Sequence, residues 1–297
     1  LRAGYGITGN QEIGNYSFSS NYNTYKYNFN GAYVSAAIPT VLPNSNVKWE
    51  EQEQFNVGID ANFFDNRINV VLDGYIKNTN GMLVPQAVPV TSGYSDIYVP
   101  YINAGKIQNK GIELVINTKN IVKDKFSWTS DLVLSTNKNK VIDLNGDVPL
   151  ITGSLGLNYN VSRIQEEYPV NVFYGFVQDG VFQTQTEIND HAVQVPGTSP
   201  SNSTSPGDIR FKDLNNDGVI NDKDRTYLGN PNPTFMFAMN NTFAYKSFDL
   251  SIFLQGIAGN KIINANRFWS EAMAVAQNQT TATLNRWTGE GTSNSMP

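Results

Sequence analysis

Apolar residues recur at every second position through paired stretches of this sequence, and that period of two constrains its fold more than any other feature. From Phe55 the apolar positions are Phe55, Val57, Ile59, Ala61 and Phe63, with Asn56, Gly58, Asp60 and Asn62 between them. After Asp65-Asn66 the pattern restarts through Ile68, Val70, Leu72, Gly74 and Ile76, interleaved with Asn69, Val71, Asp73, Tyr75 and Lys77. Alternate side chains of a strand point to opposite faces, so the pair reads as a long hairpin about a tight turn. A second hairpin carries Ile112, Leu114, Ile116 and Thr118, turns through Val122 to Lys125, and returns as Phe126, Trp128, Ser130, Leu132 and Leu134. A third runs Phe235, Phe237, Met239, Asn241, Phe243 and Tyr245, turns at Lys246-Ser247, and returns as Phe248, Leu250, Ile252 and Leu254. Leu1, Ala3, Tyr5 and Ile7 read as the end of an earlier strand.

The apolar face of these segments has no Asp, Glu, Lys or Arg, whereas the other face holds Arg2, Asp60, Asp73, Lys77, Glu113, Lys119, Asp131 and Asp249. A two-layer sandwich with apolar faces inward and a membrane barrel with apolar faces outward both satisfy that pattern. Connection length separates them. The links alternate strictly: long (Gly9 to Glu50), short (Asp65-Asn66), long (Asn78 to Lys110), short (Val122 to Lys125), long (Asn139 to Pro233), short (Lys246-Ser247), then long again. All short turns then fall on one edge of the sheet, as in outer-membrane barrels with short periplasmic turns and long extracellular loops. Strands of about 9–11 residues match a membrane span. Phe63, Phe64, Phe126, Trp128, Phe243, Tyr245 and Phe248 cluster at the short-turn ends, where an interfacial girdle belongs. The expected fold is therefore all-β, an antiparallel transmembrane outer-membrane β-barrel with long extracellular loops. About seven strands do not close such a barrel, because open edges in lipid leave backbone groups unpaired; residues 1–297 are expected to be part of one larger barrel domain.

Composition agrees with this and removes several function classes. Charged residues make up 16 % of the chain and its net charge is −5, so no basic surface is available for nucleic acid. Without cysteine there is no disulfide, thiolate nucleophile or thiolate metal ligand. The sequence has no apolar run of about 18 residues that would make a transmembrane helix. Its mildly negative mean hydropathy suits a polar lumen and long loops.

Several stretches resemble the SusC/RagA family of TonB-dependent importers. They are Arg2 to Tyr16 (RAGYGITGNQEIGNY), Asn46 to Tyr75, Asn103 to Ile116 (NAGKIQNKGIELVI) and Pro206 to Gly256, the last being the nearest match. The resemblance implies an importer of about 22 strands with a plugged lumen, preceded by a plug domain and a TonB-contacting segment. It also implies a surface lipoprotein of the SusD type as partner, energy from TonB, and glycans or peptides as substrate. The implied location is the outer membrane of a Gram-negative bacterium, of the Bacteroidetes.

Asp213, Asn215, Asp217, Val219, Asn221 and Asp224 fall at positions one, three, five, seven, nine and twelve of a loop with Gly218 at six. This is the spacing with which EF-hand loops wrap Ca²⁺, with Asp in place of the terminal Glu, and it resembles dockerin loops. The same residues suit an Asx-rich turn bonded to its own backbone, so a structural calcium ion and a metal-free turn are both open. Tyr16, Tyr22, Tyr25, Tyr27 and Tyr33, with Phe18 and Phe29, alternate with Asn and Ser, as a sugar-stacking surface would; packing against other loops or the lipoprotein serves equally. Catalysis has little support. The single histidine, His191, has no nucleophile elbow near it, and the pairs Glu50-Glu51 and Glu166-Glu167 read as solvated faces. The expected function is import by binding and gated passage, not enzymatic. The alternatives are a secreted, calcium-stabilised glycan-binding β-sandwich and a siderophore or vitamin receptor of the same barrel type.

Overall fold

The structure is a computed structural model that describes residues 1–10, 18–20, 22–39, 43–85, 101–144, 149–154, 160–194, 203–273 and 276–297. Seven long strands dominate it: β1 (Arg2–Asn10), β2 (Glu50–Phe63), β3 (Ile68–Asn80), β4 (Lys106–Lys123), β5 (Phe126–Asp143), β6 (Phe235–Tyr245) and β7 (Phe248–Ala258). They pair antiparallel in chain order within one open sheet, so the chain is a partial barrel wall. A sandwich would divide these strands between two stacked sheets; that alternative does not hold.

Register carries the alternation from strand to strand. Val57 stands opposite Ala3 and Gly74, and Leu72 opposite Ile59 and Leu114. Leu114 continues to Leu134, Leu134 to Phe237, and Phe237 to Gly256. One face of all seven strands is therefore apolar, and its exposed Phe55, Ile112, Leu250 and Ile252 are suited to lipid.

The turns are tighter than the sequence suggests at one place and wider at another. The second hairpin turns on Asp124-Lys125 alone, with a bulge at Asn120 where the register steps from Lys119↔Thr129 to Ile121↔Trp128. The first uses residues 64–67, with Phe64, Asp65 and Asn66 all at positive φ. Lys246 N–H donates to Lys125 C=O (3.0 Å), which ties two short turns together on one edge. At that edge Trp128 stacks on Phe243 with ring centroids 5.6 Å apart, and its indole N–H reaches Asn241 Oδ1 at 3.1 Å.

At the other edge the strands run further than their apolar stretches. On the face that is charge-free in the middle, register adds Glu51 and Glu53 on β2, Lys106 and Lys110 on β4, and Lys138 and Lys140 on β5. The charge-free description thus holds for the apolar band and fails at the long-link edge. A strand from Phe55 to Phe63 is about 26 Å long at ~3.3 Å per residue, and at a barrel tilt of roughly 40° it climbs about 20 Å, most of the height of an apolar barrel band.

The described residues separate into two compact units. The first, Leu1–Pro149, Gln165–Val170 and Pro233–Ala258, contains the sheet. The second, Leu150–Ile164, Asn171–Asn232 and Gly259–Pro297, is built from links expected to be plain loops. It holds a four-stranded sheet of Leu150–Ser154, Asn160–Ile164, Val172–Gly175 and Thr226–Gly229. Val172, Val181, Phe182 and Ile220 are buried in this unit. A short helix, Gln185–Asp190, starts at Thr184, whose hydroxyl accepts from Glu187 N–H.

Candidate functional site

The inner face of the sheet is mostly polar, broken by a row of Val71, Val115, Val133 and Ala238, and many of its side chains bond one another. Arg2 Nε donates to Asp60 Oδ2 at 2.7 Å and its Nη2 to Asp73 Oδ2 at 3.0 Å, so one guanidinium joins three strands. Asn117 donates to Asp131 at 2.8 Å, and Asn139 to Asn109 at 2.9 Å. The Tyr75 hydroxyl reaches Asn137 Oδ1 at 3.3 Å. A wall of amides and mixed, mildly acidic charges offers donors and acceptors, which suits hydroxyl- or amide-bearing solutes.

The tyrosine-rich stretch forms a hairpin of its own. Tyr22–Phe29 pairs with Ala32–Pro39 about Asn30-Gly31, whose φ values of 51° and 85° make the two-residue turn that Asn-Gly favours. Register divides the candidates. Tyr25, Tyr27 and Phe29 share a face with Val34 and Ala36, while Tyr22 and Tyr33 lie on the face with Thr24, Lys26 and Ser35. All five of these aromatic residues are exposed, Tyr27 at 64 %. Tyr16 lies outside the described residues.

The Asp213–Asp224 loop closes on its own backbone. Asp213 accepts from Asn216 N–H (2.7 Å) and Gly218 N–H (2.9 Å), Asn215 from Asp217 N–H (3.0 Å), and Asp217 from Val219 N–H (3.0 Å). Asn221 accepts from Lys223 N–H at 2.9 Å and donates to the Val219 carbonyl at 3.2 Å. Asp224 is fully buried and accepts from Leu214 N–H (2.9 Å) and Asn221 N–H (2.8 Å). The backbone N–H of Asn221, followed by those of Leu214 and Asn215 and the side chain of Asp213, holds the Asp224 carboxyl below the usual carboxylate range against the burial that pushes it up. All six sequence candidates thus meet in one loop. Among the described residues no three His, Asp or Glu side chains form a metal-binding group, so a cation here would depend on amide and carbonyl oxygens as well.

A cleft in the second unit had no signal in the sequence. Arg163 lies 3.1 Å above the Tyr174 ring, and Arg225 lies 5.5 Å from the same ring and 5.8 Å from that of Phe176. Arg225 Nη2 donates to the Asn160 carbonyl at 2.8 Å, and Lys261, Ile262 and Phe268 complete a cavity of about 570 Å³. Its parts are spread over a hundred residues of chain, with no local motif to join them. His191 is structural: Nε2 stands 2.8 Å from the Phe211 carbonyl and the ring meets Phe182 edge-on. The glutamate pairs are not simply solvated. Glu50 accepts from Leu83 N–H (2.6 Å) and Asn10 Nδ2 (3.1 Å), Glu166 from Leu144 N–H (2.8 Å), and Glu167 bridges Lys140 (2.6 Å). Each fastens a link to a strand end, a role that adjacent carboxylates do not reveal in sequence.

Among the described residues no helix is long and apolar enough to cross a membrane, which says nothing about a β-barrel. The family model described as TonB dependent receptor-like, beta-barrel matches residues 1–217. TonB-dependent receptor P3 of Formosa agariphila is 32 % identical over all of this chain and 29 % of its own length. TonB-dependent receptor SusC of Bacteroides thetaiotaomicron is 29 % identical over 88 % of this chain and 25 % of its own length. A solved structure of the RagAB peptide transporter superposes with a TM-score of 0.76 at 22 % identity, covering 100 % of this chain and 31 % of that one. The chain thus spans under a third of the length of these proteins.

Proposed function

The chain belongs to the TonB-dependent receptor-like β-barrel family, and from that premise we propose that it supplies part of the wall and outer loops of an outer-membrane importer. The importer takes up oligosaccharides or peptides, with a SusD-type lipoprotein as partner and TonB as energy source, in the outer membrane of a Gram-negative bacterium of the Bacteroidetes. Residues 1–297 are one portion of its barrel domain. The observation that carries this reading is the single meander of seven strands, apolar on one face and polar on the other. Its short turns gather on one edge and its long links on the other. The activity is binding and passage, not bond-making chemistry.

The inner amides and the exposed face of Tyr25, Tyr27 and Phe29 support solute and partner contacts respectively. Oligosaccharide hydroxyls and peptide amides both match donor–acceptor side chains such as Asn109, Asn137 and Asn139. For the Asp213–Asp224 loop, oxygen side chains at calcium-loop spacing support a structural calcium ion added to a turn that its own hydrogen bonds pre-form.

The deciding experiment is outer-membrane fractionation of the whole receptor, followed by uptake of labelled oligosaccharides and peptides in cells with and without its gene. Heat-modifiable migration, a co-purifying lipoprotein and gene-dependent uptake of one solute class are expected. A receptor found in the soluble fraction, or uptake indifferent to the gene, would overturn the proposal.

A further inference from the structure

Beyond the apolar band, the lipid-side face of β4 and β5 turns basic. Lys110 stands directly opposite Lys138, and both are exposed. Directly opposed residues on an antiparallel pair hold their Cβ atoms about 4.5–5.5 Å apart, and like charges placed there repel. Lys140, on the same face, is neutralised by Glu167 at 2.6 Å. Asp143 stands opposite Lys106, whereas Lys110 and Lys138 form no ion pair among the described residues. Glu51 and Glu53 share the face, but β3 lies between and shows Asn78 and Asn80 there, which puts them two strand spacings from β4, roughly 9–10 Å. An unpaired cation pair at this position asks for an anion.

The groove below it says which anion. Gly74 leaves a gap in the apolar face, and a Cβ built on it would meet nothing within 4 Å. Phe55, Val57, Ile76 and Ile112 wall a cavity of about 490 Å³ over this gap, and Lys110 closes one end. We propose that this groove seats one phosphorylated lipid, with an acyl chain along Gly74 and the headgroup phosphate between Lys110 and Lys138. On β4 and β5 the apolar set ends at the Ile112–Thr136 pair, and Lys110–Lys138, in register with Ile76 and Phe55, is the next pair along the same face. This edge carries the long links, so the lipid belongs to the outer leaflet. A phosphate shared by two ammonium groups turns a repulsive pair into a charge-assisted one. A free phosphate has the same head chemistry but leaves the groove unfilled.

The inference rests on the membrane-embedded reading above. Its test is native mass spectrometry of the full-length receptor in neutral detergent, titrated with phosphatidylglycerol, with diacylglycerol of the same chains, and with inorganic phosphate. One tightly held phosphatidylglycerol is expected. Each lysine near an anionic headgroup is worth roughly a fivefold change, so the double variant Lys110→Gln, Lys138→Gln weakens binding by at least about tenfold. Gly74→Leu fills the groove from an unstrained position and weakens binding comparably, without changing heat-modifiable migration. Equal retention of diacylglycerol, displacement by millimolar inorganic phosphate, or unchanged binding in both variants would each overturn the proposal. A receptor absent from the outer-membrane fraction would instead sink the importer reading.

Discussion

Arg2 and Asp73 lie 71 residues apart in the chain and meet at 3.0 Å across Gly58. Gly58 is in register with both, and a Cβ there would collide with Asp73 Oδ1 and stand 3.0 Å from Arg2 Nη2. The ion pairs are partly exposed, so solvent screens them and each contributes little. The space that glycine leaves matters more. Gly58→Val is expected to cost about 1–3 kcal/mol by overpacking, and Arg2→Gln clearly less because solvent screens its ion pairs. The midpoint of heat-modifiable unfolding compares them; equal midpoints for wild type and Gly58→Val would remove the close approach from the account.

Tyr75 covers Gly111 on the neighbouring strand in a similar way. A Cβ on Gly111 would run into the Thr136 carbonyl and lie 2.7 Å from the Tyr75 hydroxyl. Gly111→Val is therefore expected to lower the same midpoint strongly, by several degrees. Tyr75→Phe keeps the ring and loses only the long 3.3 Å contact to Asn137, a change of about 1 kcal/mol or less. The reverse order would mean that the hydroxyl, not the ring over glycine, holds these strands.

The seven strands could be read from the sequence because a period of two persists for many residues and the apolar set never changes face. It failed where the physics changed: above the band Glu53, Lys110 and Lys138 continue the outward face, but charges no longer mark a face bound for lipid. The second unit was missed because strands such as Val172–Gly175 are too short to show a period. Tyr174 meets Arg163 and Arg225 only after the chain has folded. The Tyr22–Pro39 hairpin did carry a local signal, Asn30-Gly31 between β-forming runs. Its aromatic alternation looked like a binding loop and hid the turn. The Asp213–Asp224 loop was legible because its geometry is set by spacing within a single turn.

Tyr174 should contribute through its π face. Tyr174→Phe keeps a ring under the Arg163 guanidinium, whereas Tyr174→Leu keeps apolar volume and removes the ring. Tyr174→Leu is expected to destabilise the second unit by about 1–2 kcal/mol, as for a partly desolvated cation–π contact. Faster amide exchange in Val172–Gly175 and Thr226–Gly229 would report it, with Tyr174→Phe close to wild type. Equal exchange in the two variants would leave packing alone as the explanation.

Tyr27 and Phe29 are expected to separate binding from stability. Both are exposed and contribute little to the fold, so Tyr27→Ala and Phe29→Ala should leave the unfolding midpoint within about 0.5 kcal/mol of wild type. If their face meets the lipoprotein, each loses about tenfold or more in affinity, as aromatic anchors do. Quantitative co-purification of the lipoprotein measures this. Retained binding in the double variant would assign that face to other contacts.

Asp224 makes the Asp213–Asp224 loop sensitive to acid, with a definite sign. Its folded pKa is depressed, chiefly by the Asn221 N–H, and burial opposes the shift. A depressed carboxylate contributes stability in full above its unfolded value near ~3.9, and loses it as pH falls through the folded value. Protection of the Leu214 and Asn221 amides is therefore expected to hold at neutral and mildly acidic pH and to fail in stronger acid. Asp224→Asn removes the charge and one acceptor oxygen, so it should expose the same amides already at neutral pH. Chelation alone should leave them protected, because the N–H bonds close the loop without an ion. Calcium at roughly millimolar concentration, within the range of weak extracellular sites, should slow their exchange further by bridging Asp213 and Asp224. If added calcium has no effect while the acid transition stays intact, the loop is a carboxylate-capped turn and the cation drops out of the proposal.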